Sequence, residues 1–480
     1  MFQLIDKILL QFRSCFKRGA TWRWFVVLVL GFMIRSNHKG VTSTISELRL
    51  MPRLYHTMLH FYRSEAYEVE DIYKRWTQVV INETTIIRIS NRILMVGDHI
   101  KVSKEGRRMP DIQILHQESE NSGKGEFIAG HTFAQISALI TSGNVSRSIP
   151  LVAQAQKSPP RIPGTKKPDG DTLVIQMVKL GQEAAKYTGE PVLLALDAYF
   201  SKSTAFITAK EKCTDDGKPF VHIVTRAQDS YKGYLPLEPS PPGSKRRPGR
   251  PRIYGEEVKL KNLYNDMTTF TETTMTLYGK KTKVNYRCLD LLWKPLQNII
   301  RFVVVDSDRG RCILMSSDVT LTPEEIITIY TLRFKIEIGF DEQKNDIGCF
   351  DYHFWTMAMP KRQRRKASVV PVDEKAQKKI NSAKKAISSF VCLGVIATGI
   401  LTIIAFKHDR DIWRRYPGWV RTLRVRIPSV AIVRETLSHD FPGLLHHFSH
   451  LPIACVVLPL LRSEEFLYAN IDDEISDDVA

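Results

Sequence analysis

Tyr330, Arg333, Glu337 and Lys344 lie in the stretch TPEEIITIYTLRFKIEIGFDEQKNDIG, residues 322–348. On an α-helix turning about 100° per residue, the four share roughly 60° of arc. One carboxylate, two cations and a phenol on a single stripe can hold a metal and clamp phosphates, which is what phosphodiester chemistry needs. The plainer reading is a solvated helix face, since Arg333 and Glu337 have ordinary i,i+4 spacing. Charge spacing alone favours that reading, because such pairs are common.

The helix is well signed. Thr322 suits an N-cap, Pro323 the first turn, Glu325 completes a capping box, and Gly348 suits a C-terminal stop. Apolar Ile327, Ile329, Phe334, Ile336, Ile338 and Phe340 flank the stripe on both sides, which predicts a buried helix with only the stripe facing an opening.

Elements upstream must bring further acids to that stripe. Three apolar runs end in aspartate: RILMVGD at Asp98, PVLLALD at Asp197 and RFVVVD at Asp306. Each reads as a buried strand delivering an acid to a sheet edge, or more commonly as a strand ending in a turn. Asp306 fits the turn best, because FVVVDSDRGRCILMSS with Gly310 predicts a hairpin.

Tyr330-x2-Arg333-x3-Glu337-x6-Lys344 resembles the Tyr-Arg-Glu-Lys signature of a large group of bacterial insertion-sequence transposases of the Asp-Asp-Glu type. All four positions and all three gaps match. The resemblance covers roughly residues 40 to 406 and is strongest around the carboxylates and at CFDYHFWT, Cys349 to Thr356. As in that group, Asp98 precedes a Lys/Gly/Arg-rich stretch and a Gly130-His131 pair, and Asp197 precedes a Tyr-Phe-Ser-like turn.

The resemblance implies Asp98, Asp197 and Glu337 as catalytic residues and ligands of two Mg²⁺ ions, with Mn²⁺ as substitute. Asp306, 31 residues before Glu337, stays in reserve as the second aspartate. Tyr330, Arg333 and Lys344 would hold phosphates near a transposon end. The implied activity is metal-dependent cleavage of double-stranded DNA at transposon ends and strand transfer into target DNA. A homodimer pairing two DNA ends is implied with it.

The chain has 480 residues, with 69 Lys+Arg against 51 Asp+Glu and a formal charge of +18. That balance suits a nucleic-acid partner without selecting one. Seven scattered cysteines, with no Cys-x-x-Cys pair, predict reduced thiols in a cytoplasmic protein, and the implied DNA partner would make it nucleoid-associated. No Gly-x4-Gly-Lys-Ser/Thr loop points to nucleotide-driven work.

The expected fold is α/β: a ribonuclease H-like catalytic core with a β-rich insertion, an N-terminal helical domain and a C-terminal helical region. Residues 1–85 read as helical, with a Thr44-Glu47 capping box and a helix opened by Pro52. They could form a helix-turn-helix-like end-binding unit or a plain bundle. Residues 86–228 carry strands at 92–98, 126–141 and 147–154, a helix at 171–188, the Asp197 strand, a helix and FVHIVTR. The 140 residues from Asp197 to Glu337 are too many for a bare connection, so 229–320 reads as a β-rich insertion. The core helix occupies 321–348, a helical region 349–462, and an acidic disordered tail 463–480.

Two apolar runs raise a membrane alternative. Phe25–Ile34 is too short to span, and Ser389–Phe406 is near spanning length with basic flanks. The resembled group has an apolar helix at the latter place, so a buried core helix is the favoured reading. In PLEPSPPGSKRRPGRPRIYG, Arg247, Arg250 and Arg252 suit a minor-groove hook or, more plainly, a solvated basic loop. KRQRRKA, Lys361 to Ala367, either tracks DNA or is a linker. His439, His446, His447 and His450 read as loop residues rather than a zinc site. The competing functions are a transposase-derived DNA-binding protein without catalysis, and a membrane protein.

Overall fold

The computed structural model describes every residue except 37–39, 118–124, 161, 163, 166–167, 215–216, 238–252, 365, 372, 422–426 and 463–480. Arg247, Arg250, Arg252 and the acidic tail therefore lie outside the described residues.

Among the described residues, the apolar runs become the centre of a 13-stranded mixed sheet. The Asp98 strand (Arg92–Ser103), the Asp197 strand (Val192–Ala195) and Val221–Arg226 are neighbours and parallel. Parallel strands buried on both faces need continuous apolar sequence, which RILMV and VLLA supply. Phe127–Ser142 pairs antiparallel with the other edge of the Asp98 strand. Val145–Gln156 and Gln113–His116 share its far edge. The helix Leu173–Thr188 starts at the Thr172 cap and stops at left-handed Gly189.

Among the described residues, the strands after residue 229 join the same sheet. Gly310–Ser316 pairs antiparallel with Val221–Arg226, and Asn298–Ser307, Lys280–Trp293, Lys232–Pro236 and Tyr254–Lys259 follow outward. Asp306 stands one residue before the end of the first strand of a hairpin closed by Gly310, as the local sequence predicts.

Side-chain alternation divides the core between the two sheet faces. Leu94, Val96, Leu193 and Ala195 pack with Ile326, Ile329, Ile336 and Phe340 of the helices that follow Thr322. Ile93, Met95, Val192 and Leu194 face the opposite way, into the larger cluster with Met177 and Val178.

That larger cluster continues into a helical bundle built from both ends of the chain. Its axis is Glu374–Lys407, packed against Gly19–Ile34, Tyr55–Arg63, Val69–Glu83, Val430–His447 and the strand Val145–Gln156. By length and composition Glu374–Lys407 is apolar enough to cross a membrane, yet 94% of its apolar window is buried inside the protein. It is apolar all round because protein surrounds it. Gly19–Ile34 is likewise buried from Phe25 to Ile34.

Several local expectations are corrected. The short N-terminal helix runs Val41–Glu47 from Gly40, so Thr44 sits inside it, packed against Gly31 rather than capping. His439, His446 and His447 are helical, on Val430–His447. The helix after Thr322 has its full capping box and its left-handed Gly348 stop, but it is not continuous. It runs Pro323–Arg333, resumes at Lys335–Asp341, and ends in a π turn, Glu342–Ile347. Near the break the Ser148 hydroxyl donates to the Lys335 carbonyl at 2.7 Å, and a side chain entering the ladder is a common cause of helix irregularity. Gly339 permits this approach, since a Cβ there would stand 2.8 Å from Ser148 Oγ. The helix is also less buried than its flanks predict, because Phe334 and Ile338 are each 45% exposed.

Candidate active site

Two carboxylates arrive on neighbouring strands. Alternation places Leu94, Val96 and Asp98 on one face, and Leu193, Ala195 and Asp197 on the same face. The parallel register pairs Val96 with Ala195 and, carried two residues further, sets Asp98 level with Asp197. Asp197 stands just past its strand and caps the turn Ala198–Phe200, its Oδ1 accepting the Tyr199 N–H at 3.1 Å. Thr225 fixes the backbone there, donating to the Asp197 carbonyl at 2.6 Å. Asp98 Oδ1 accepts the His99 N–H at 2.7 Å.

Glu337 reaches this pair through Arg333. The guanidinium donates from Nη1 to Asp98 Oδ2 at 3.2 Å and from Nη2 to Glu337 Oε1 at 2.8 Å. The Arg333 side chain is 14% exposed, Asp98 20% and Glu337 44%, so the site opens on the Glu337 side. Burial pushes the Asp98 carboxyl up to about 7, and the charge of Asp197 adds to the rise. The His99 amide and Arg333 pull it back, while Glu337 raises it further.

The structure thus gathers Asp98, Asp197, Arg333 and Glu337. Tyr330 stands beside them, its ring centroid 6.0 Å from Arg333 Cζ, with its phenol pKa raised by burial. Lys344 is exposed on the π turn, where the wider winding ends the α-helical stripe. Asp306 lies elsewhere, three strands from the Asp197 strand and 3.4 Å from Arg311.

Three carboxylates against one guanidinium leave an excess of hard oxygen donors, which suits Mg²⁺ or Mn²⁺ in kind. Among the described residues, no three His, Cys, Asp or Glu side chains stand close enough to hold one ion. The Arg333 guanidinium bridges Asp98 and Glu337 in this arrangement. The donor chemistry fits a divalent cation, and Arg333 occupies oxygens of both Asp98 and Glu337 in this arrangement.

Several supporting residues carry little sequence signal. His131 Nε2 donates to the Pro110 carbonyl at 2.7 Å, and Nδ1 accepts from the Tyr352 hydroxyl at 2.6 Å. Beside it, Gly130 is required because a Cβ would stand 2.0 Å from the Val102 carbonyl oxygen. Buried Lys104 donates to the Phe350 and Tyr352 carbonyls and lies 3.9 Å from the Tyr352 ring centroid. Burial lowers its pKa to about 8. These contacts fasten the segment after the glutamate helix to the end of the Asp98 strand. Arg35, fully buried, donates to the Ile347 and Gly348 carbonyls at 2.7 Å each and so caps that helix from the N-terminal bundle. The Gly-His pair was visible by resemblance; Lys104 and Arg35 were not, because a lone cation beside an apolar run gives no sign of what it caps.

A family model described as DDE superfamily endonuclease matches residues 11–287, more than half of the chain. The match includes Asp98 and Asp197 and stops before the glutamate helix. No curated protein matches. Among solved structures, the chain is similar to the NurA nuclease from Sulfolobus solfataricus at 11% identity, covering 59% of this chain and 86% of that one with a TM-score of 0.20. That likeness is too slight to bear on the fold.

Proposed function

The chain belongs to the DDE superfamily endonuclease family, and from that premise we propose that it is a DNA transposase of the Tyr-Arg-Glu-Lys signature group. Asp98, Asp197 and Glu337 are its catalytic carboxylates. The observation that carries this reading is the meeting of Asp98, Arg333 and Glu337 in one hydrogen-bonded set, beside the strand end that bears Asp197. A ribonuclease H-like core is supported by the strand order Val145–Gln156, Phe127–Ser142, Arg92–Ser103, Val192–Ala195, Val221–Arg226, in which only the last three are parallel.

Endonucleases of this superfamily generally depend on divalent metal ions. When bound, such ions activate the attacking oxygen and stabilise the leaving one. Asp98 and Asp197 would hold them from the strand ends and Glu337 from the helix. With its carboxyl pKa raised to about 7, Asp98 would have to be in its deprotonated form to hold a cation. Arg333 offers two parallel N–H bonds to a phosphate once it leaves the carboxylates, and Tyr330 and Lys344 add a hydroxyl and a point charge. In cleavage a water oxygen bonds to phosphorus and the P–O3′ bond breaks, leaving a 3′-hydroxyl and a 5′-phosphate. In transfer that 3′-hydroxyl attacks a target phosphate, and the target's own 3′-oxygen leaves. Two copies of the chain would pair two transposon ends.

Glu337→Ala tests the reading. End DNA incubated with Mg²⁺ should remain uncut, while gel-shift binding of the same DNA stays within about twofold of wild type. Cleavage at the wild-type rate by this variant removes Glu337 from the catalytic set.

A further inference from the structure

We propose that a groove beyond the end of the Asp98 strand seats the phosphodiester backbone of the DNA that the carboxylates act on. The groove, of about 760 Å³, lies between Ser103–Arg107, Gly125–Ala129 and the Arg362–Arg364 segment. It rests on the nuclease reading for its ligand, and on its own geometry for its place.

The charge on its walls selects a polyanion. Arg107, Arg362 and Arg364 line it against Glu105 and Glu126. Glu126 stands 3.4 Å from His116 Nε2, and Lys104 is already committed to the Phe350 and Tyr352 carbonyls. Arg362 spends one guanidinium nitrogen on the Gln363 and Lys366 carbonyls, and its Nε is buried without a partner. Arg107 and Arg364 are exposed and form no ion pair among the described residues. Guanidinium groups held open in this way match phosphate oxygens. At the rim Phe127 is 58% exposed.

The basic wall is built rather than dangling. Hydrogen bonds tie Thr356, Met357, Met359, Arg362 and Ser368 to the loop 107–112. Thr356 N–H donates to the Arg108 carbonyl at 3.3 Å, Arg362 N–H to Arg107 at 2.8 Å, and Ser368 N–H to Ile112 at 2.9 Å. Arg108 Nη1 donates back to the Met357 and Met359 carbonyls at 3.1 and 2.9 Å. Arg362 and Arg364 are thereby fixed on one side of the groove.

Its position also fits. Ser103 is five residues along the strand from Asp98. That is roughly 17 Å, or about five phosphates along one strand of a duplex. A duplex engaged at the carboxylates is long enough to reach the groove at the end of the same strand.

The test is salt-dependent binding of a labelled linear duplex, measured without metal so that no cleavage intervenes. The double variant Arg107→Ala/Arg364→Ala should bind about tenfold or more weakly at physiological salt, with the slope of log K against log salt reduced by about two. The control Lys280→Ala/Lys281→Ala, an exposed pair on a distant hairpin turn, should keep the wild-type slope. If the arginine variant keeps the wild-type slope while wild type binds and cuts DNA, the groove proposal is wrong and the nuclease reading stands. An equal loss in both double variants also overturns it, since that reports a diffuse field. If wild type itself binds no DNA, the nuclease reading fails along with it.

Discussion

Arg333 donates through Nη1 to Asp98 Oδ2 at 3.2 Å, joining the glutamate helix to a strand 235 residues earlier in the chain. The same guanidinium holds Glu337 at 2.8 Å. Carboxylates converging in a partly buried site repel one another, and Arg333 is the cation that permits it. A divalent ion held by the same oxygens would compete with Arg333 for them. Arginine that leaves Glu337 becomes available to a phosphate.

This competition makes Arg333→Met informative. Without metal the variant should melt lower by roughly a few degrees, because Asp98 and Glu337 lose their counter-ion. Added Mg²⁺ should restore more stability to the variant than it adds to wild type. Melting curves with EDTA and with Mg²⁺ decide this; equal metal-induced shifts in both proteins would mean that Arg333 does not stand in for the ion.

Asp197 and Asp306 can be separated by parallel substitutions. Asp197→Asn removes an acid level with Asp98, whereas Asp306→Asn removes one that pairs with Arg311 three strands away. Metal-dependent nicking of supercoiled plasmid should fall by about a hundredfold or more in the first and remain within about twofold in the second. The reverse pattern would move the second-aspartate role to Asp306.

The Asp98 carboxyl, raised from 3.8 to about 7, gives a pH signature. A carboxyl whose folded pKa is raised costs nothing below its unfolded pKa, costs more as pH climbs between the two values, and costs most above the folded one. Asp98→Asn should therefore raise the metal-free Tm by roughly a few degrees near pH 8, with the gain shrinking toward about pH 4. Melting in EDTA across that range checks it. A gain that does not change with pH would show that Asp98 ionises normally.

The core strands were legible because burial on both faces imposes an unbroken apolar run, and RILMV and VLLA carry one. Thr322, Pro323, Glu325 and Gly348 likewise mark the helix ends by local chemistry alone. Its interior was not legible. The interruption at Phe334 lies beside the Ser148 contact to Lys335, and the π turn is held by Arg147 and Arg35; no local pattern encodes such distant partners. Exposure of Phe334 and Ile338 was missed for a related reason: periodicity gives faces, but not whether a second element covers them. Nor could spacing show that the strands after residue 229 would extend the core sheet, since edge pairing depends on the neighbour presented in space.

Two buried tyrosines should respond oppositely to loss of the hydroxyl. Tyr352 is fully buried and its hydroxyl stands 2.6 Å from His131 Nδ1, so Tyr352→Phe leaves a buried ring nitrogen unsatisfied. That costs about 1–3 kcal/mol. It also loosens the link between the segment after the glutamate helix and the Asp98 strand. Tyr62 is just as buried, yet its hydroxyl has no hydrogen-bond partner among the described residues. Tyr62→Phe removes a desolvated polar group at little change in shape, and should be neutral or stabilising by up to about 1 kcal/mol. Urea unfolding of both variants measures the contrast. Equal destabilisation would mean that Tyr62 has a partner, and that the two phenols are held alike.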